Sequence, residues 1–131
     1  MKGLKIKMKE FKIPVTITEA DINADIITAL EGGVNYWMGI KDKENPWLVE
    51  SQGRSFSEKF GFGLLSGNTA KVFDIEDDSK KYELTLEKLL KGYELYLNKK
   101  HHGLDPSFDI RDAEETDVIF QLALFNDIVY A

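Results

Sequence analysis

Hydrophobic and polar residues alternate at the start of the chain. Leu4, Ile6 and Met8 share one parity and Phe11, Ile13, Val15 and Ile17 the other, which predicts an amphipathic strand over 3–9 and a bulge or turn near Lys9–Glu10. Pro14 suits an edge or a bulge. From Thr18 the spacing becomes helical: Ile22, Ile26, Ala29 and Leu30 recur on one face, Thr18 is placed to cap with Asp21 as its partner, and Glu19 falls in the first turn. Gly32 is expected at the C′ position with positive φ, and Gly33 to let the backbone leave. Val34 to Met38 then reads as the start of a strand over 34–40 that aims Tyr36 and Trp37 in opposite directions.

Lys41 to Pro46 is polar and reads as a hairpin loop between Trp37 and Trp47. Over 47–65, Gly53, Gly61 and Gly63 lie among Phe56, Phe60 and Phe62, a mixture that points to bulged strands ahead of a ligand-approaching loop. After the turn Ser66–Gly67–Asn68, Ala70–Ile75 and Tyr82–Leu84 read as a hairpin joined through Glu76–Asp77–Asp78–Ser79. Thr85 caps a helix whose apolar stripe runs through Leu86, Leu89, Leu90, Tyr93 and Leu97 and contains Gly92, a glycine kept there for close packing. KKHHGLDPSFDIR is a polar loop. Asp112, with Glu115, begins a last helix built on Val118, Ile119, Leu122, Ala123 and Phe125; Asn126 ends it in a left-handed conformation, and 128–130 reads as a short strand.

Three helices of about 12 to 14 residues, with short strands clustered between them, predict an α+β fold with a mainly antiparallel sheet. The 131 residues, 43% of them hydrophobic, are enough for one core, so 1–131 is read as a single domain. No internal repeat or low-complexity tract interrupts it.

Charge and residue usage narrow the function. A net charge of −6 argues against general attraction to phosphate backbones, and the lysines at 2, 5, 7, 9 and 12 read as a solvated strand face that protects an edge. The sequence has no cysteine, which removes disulfides, thiolate metal sites and a cysteine nucleophile. No apolar run approaches a membrane span and the first residues do not form a signal core, so a soluble, cytoplasmic protein is expected.

Candidate chemistry is sparse. His101 and His102 adjoin Asp105, Asp109 and Asp112, but their spacing matches no established metal pattern, and a solvated loop pair is favoured over a zinc or iron site. No GxSxG elbow and no phosphate-binding glycine fingerprint is present. Asp117 and Gln121, at i and i+4, share one side of the last helix beside its apolar face, where such a pair either lines a pocket or bonds to backbone. Arg54 and Arg111 are the only arginines; with Tyr36, Trp37, Phe60 and Phe62 they offer stacking and guanidinium contacts to a nucleotide-like ligand.

ALEGGVNYW (Ala29 to Trp37) and QLALFNDIVYA (Gln121 to Ala131) resemble a family of small proteins encoded by bacteriophages and prophages, whose members carry A-[LIF]-E/Y-G-G-[IV]-x-Y-W near the start and A-D-x-[IV]-x-Q-x-A-L-F-x-[DE]-[IV]-x-Y-G at the end. Glu31, Gly32, Gly33, Tyr36, Trp37, Asp117, Gln121, Ala123, Leu124, Phe125 and Tyr130 fit; Thr116, Asn126 and Ala131 depart from it. The resemblance covers the two ends well and the middle poorly. It implies a phage-borne accessory protein of the kind that counters host defence, some of which sequester nucleotide signals while others bind a host protein.

The leading expectation is therefore a non-catalytic protein that sequesters a small nucleotide signal at Gly32, Gly33, Tyr36, Trp37, Arg54, Asp117 and Gln121, with no cofactor or metal. The alternatives are an inhibitor that binds a host enzyme through an acidic surface, and a small metal-dependent hydrolase using His101 and His102. Apolar surface on edge strands and the N-terminal segment predicts a homo-oligomer.

Overall fold

The computed structural model describes residues 11, 14–50, 54–99 and 111–131. It is an α+β fold with helices outweighing strands. Helix α1 (Glu19–Thr28) starts at a reciprocal capping box in which Thr18 accepts from the Asp21 N–H and Asp21 accepts from the Thr18 N–H. It widens into one π-helical turn over Ala29–Gly33, closed by the Val34 N–H donating to the Ala29 carbonyl at 2.8 Å. The expected positive φ at Gly32 is not adopted, because the chain continues helically through both glycines. Gly33 is needed for a different reason: a Cβ there would stand 2.7 Å from the Ala113 carbonyl oxygen and from Thr116 Oγ1.

The predicted strand over 34–40 shrinks to β1 (Met38–Ile40), because the Trp37 and Met38 amides fold back onto the Val34 carbonyl and make 34–37 a turn. β1 does not enter a hairpin with the Trp47 region, where two 3-10 turns lie at Asp42–Glu44 and Pro46–Glu50. It pairs instead with β2 (Ala70–Asp74), and β2 pairs with β3 (Asp77–Leu84), giving an antiparallel sheet of order β1-β2-β3. The β2–β3 hairpin is the one expected, with a tighter turn at 75–76 and a register shift at Phe73–Asp74.

Residues 56–65 are not bulged strands but helix α2 (Phe56–Leu65), started by a Ser55/Glu58 capping box. Its glycines serve close approach. A Cβ on Gly63 would run into the Trp47 ring at 2.2 Å, and one on Gly61 into Asn23 Oδ1 at 2.4 Å. Helix α3 (Leu86–Lys99) starts where the Thr85 hydroxyl accepts the Lys88 N–H. Helix α4 (Ala113–Phe125) begins at the Asp112/Glu115 capping box and ends at Asn126 with φ 58°, both as expected. α3 and α4 pack through Gly92, whose missing Cβ would meet the Ile119 carbonyl oxygen at 2.6 Å.

Ile26, Trp37, Phe60, Leu64, Val72, Leu84, Leu89, Ile119 and Phe120 form the centre of one buried cluster that joins all four helices to the sheet. Arg111, expected to offer its guanidinium to a ligand, is buried instead: its Nε donates to Asp25 at 2.5 Å, and the Tyr93 hydroxyl donates to the same oxygen at 2.6 Å. Burial pushes the Asp25 carboxyl up, against the hydrogen bonds from Tyr93 and Arg111. The strand expected over 3–9, its lysines, and the His101/His102 loop lie outside the described residues.

Candidate functional site

The two segments expected to act together meet. The π-helical turn packs against the first turns of α4, and the residues beyond it converge on one carboxylate. Asp117 accepts from the Tyr36 hydroxyl at 2.6 Å, from Trp37 Nε1 at 2.8 Å and from Gln121 Nε2 at 3.0 Å. Tyr36 and Trp37 do face different surroundings, the first 44% exposed and the second 2%. Because 34–37 is a turn, both polar ends still reach the same carboxylate. Partial burial, and then the Asp117 carboxylate, push the Tyr36 phenol up to about 12.

Gln121 is buried and fully employed. Its Oε1 accepts the Val129 N–H at 2.7 Å and the Tyr130 N–H at 2.8 Å, while Nε2 donates to the Tyr130 carbonyl at 3.1 Å as well as to Asp117. No strand forms at 128–130; the Gln121 amide takes the part that a neighbouring strand's peptide group would. The Tyr130 ring stacks on Trp37 at 4.7 Å with 7° between planes, and its hydroxyl donates to Asp74 at 2.6 Å. That bond and the Glu76 N–H hold the Asp74 carboxyl below the usual carboxylate range. Burial and then Asp74 push the Tyr130 phenol up.

Beside this hub lies an open cleft of about 390 Å³. Gly32 and Gly33 form one side, Ala113, Glu114, Asp117 and Gln121 of α4 another, and Ile128 and Tyr130 a third, with the exposed Tyr36 ring at the rim. A Cβ on Gly32 would have only Ala113 near it, at 3.9 Å, so this glycine leaves open space. Of the residues expected in a site, Gly32, Gly33, Tyr36, Asp117 and Gln121 line the cleft. Trp37 lies behind it, bonded to Asp117 and covered by Tyr130. Arg54 is elsewhere, with its guanidinium 4.2 Å from the centre of the Phe62 ring on α2. Glu114 was not singled out by motif reasoning, yet it is exposed on the cleft and makes no hydrogen bond or ion pair among the described residues.

A charge signal would have found it. Residues 13–40 carry Glu19, Asp21, Asp25 and Glu31, and residues 112–131 carry Asp112, Glu114, Glu115, Asp117 and Asp127; neither stretch contains a lysine, arginine or histidine. These stretches supply the walls of the cleft, so among its described lining residues Glu114 and Asp117 carry carboxylates and none carries a cation. Among the described residues, no group of three or more His, Asp or Glu is disposed to hold a metal ion, and no helix is long and apolar enough to cross a membrane. Comparison with protein-family models, curated proteins and solved structures finds no match for the chain.

Proposed function

We propose that the protein acts by binding and not by catalysis, as a phage-borne accessory factor whose acidic face occupies a basic site on a host enzyme. One observation carries this reading: two stretches without a single lysine or arginine pack together and build the cleft. The carboxylates of Glu114 and Asp117 on the cleft attract a basic partner, steer its approach and repel phosphate. Tyr36 and Ile128, exposed at the rim, add apolar contact where a partner would exclude water. The resemblance of Ala29–Trp37 and Gln121–Ala131 to phage proteins supplies the biological setting.

The test is capture of a partner from bacterial lysate by the wild type and by a Glu31→Gln/Glu114→Gln double variant, at low and moderate salt. Both carboxylates are exposed; Glu114 has no partner to lose among the described residues, and Glu31 only the Ser57 hydroxyl, which donates to it at 3.3 Å. A partner released by the neutral variant and by salt supports the reading. One retained equally by both proteins at both salts overturns it.

Sequestration of a nucleotide signal is the second reading, favoured by the exposed Tyr36 ring standing beside carboxylate acceptors. In this geometry the base enters first: it stacks on Tyr36 and its N–H groups donate to Glu114 and Asp117, while the phosphates stay in solvent. Native mass spectrometry of protein purified from cells with active nucleotide signalling decides it. A stoichiometric nucleotide mass lost on Tyr36→Ala supports sequestration, and an apo protein under saturating signal removes it.

A further inference from the structure

Among the described residues, the segment that follows α4 is attached through side chains. Asn126 breaks the helix in the left-handed region, and among the described residues 127–131 pair with no strand. The Val129 and Tyr130 amides and the Tyr130 carbonyl bond to Gln121, the Tyr130 ring to Trp37, and its hydroxyl to Asp74. Ile128 and Val129 are exposed on the outer side. All of these attachments converge beside the cleft, where Ile128 and Tyr130 form one wall.

We propose that residues 127–131 are a latch on the cleft, docked in this structure and released by rotation about Asn126. Release disrupts no sheet ladder and leaves α4 whole, so it draws on a local free energy below that of global unfolding. It takes away one wall, uncovers the face of Trp37 and frees the Gln121 amide, which changes the surroundings of Asp117 and Tyr36. A molecule held against the wall binds the docked form better, and docking and occupancy then favour each other to the same degree. This consequence rests on the cleft being a binding site; the movement itself does not.

Amide hydrogen exchange on the full chain tests it without a ligand. The Val129 and Tyr130 amides are expected to exchange on the order of tenfold faster than those of Leu122 and Ala123, with little dependence on low denaturant. Tyr130→Phe, which keeps the stack and loses the Asp74 bond, should speed them several-fold further. It should also shift the Trp37 indole N–H and the Gly32 and Gly33 amide signals, leaving α4 protection unchanged. Asn126→Gly, which eases the hinge, should act in the same direction. Exchange at 129 and 130 that coincides with α4 in rate and denaturant dependence would overturn the latch, as would unmoved cleft signals in Tyr130→Phe. If no basic partner or nucleotide is captured while the exchange pattern holds, the reading of the cleft fails and the latch stands.

Discussion

Gln121 uses one amide to meet two backbone donors and a backbone acceptor, and this concentrates cost on a single position. Gln121→Leu keeps the volume but leaves the Val129 and Tyr130 amides and Asp117 short of partners; a loss of about 2 to 4 kcal/mol is expected in denaturant unfolding. Tyr36→Phe, at a position 44% exposed, should cost less than about 1 kcal/mol near neutral pH. The pH response of Tyr36 separates it from an ordinary tyrosine. Its folded pKa, about 12, lies above the unfolded 10.0, so its contribution is complete below pH 10 and is lost as pH rises towards 12. Unfolding followed across that range should show a fall that Tyr36→Phe diminishes; identical profiles would remove Tyr36 as its cause. The i, i+4 spacing of Asp117 and Gln121 was legible as a polar pair at a core edge. That their partners would be an indole and a stretch of backbone was not, because those groups arrive from distant parts of the chain.

At the scale of elements, the glycines separate into those that allow contact and one that leaves space. Gly92→Ala gains about 1 kcal/mol of helix propensity but drives a methyl into the Ile119 carbonyl, so a net loss of roughly 1 to 3 kcal/mol is expected in thermal unfolding. Gly33→Ala should destabilise similarly, whereas Gly32→Ala should leave stability within about 0.5 kcal/mol and narrow the cleft. Equal effects at 32 and 33 would contradict the packing of the π-helical turn on α4. The caps of α1, α3 and α4 and the apolar stripes behind them were readable because they are local in sequence. α2 was not: Gly61 and Gly63 lower its propensity, and the Asn23 and Trp47 contacts that explain them are tertiary. The strand expected at 128–130 failed for the same reason, since its hydrogen bonds go to a side chain.

Across the whole molecule, Asp25 holds together α1, Tyr93 of α3 and the residue just before the α4 cap. Asp25→Ala removes the buried carboxylate to which both Arg111 and Tyr93 donate and should cost about 2 to 4 kcal/mol, measured by urea unfolding. The α+β class followed from the order of periodic segments, but the pairing of β1 with β2 across α2 did not, since strand order depends on which hydrophobic faces meet in space. Net charge was visible at once; its segregation needed the knowledge that residues 13–40 and 112–131 are neighbours. That segregation has a practical consequence. Every lysine lies in residues 1–12 or 41–111, so a dye, biotin or bead coupled to lysine amines cannot land on either stretch that builds the cleft. Labelling at lysine therefore leaves the covalent structure of both cleft-building stretches unaltered.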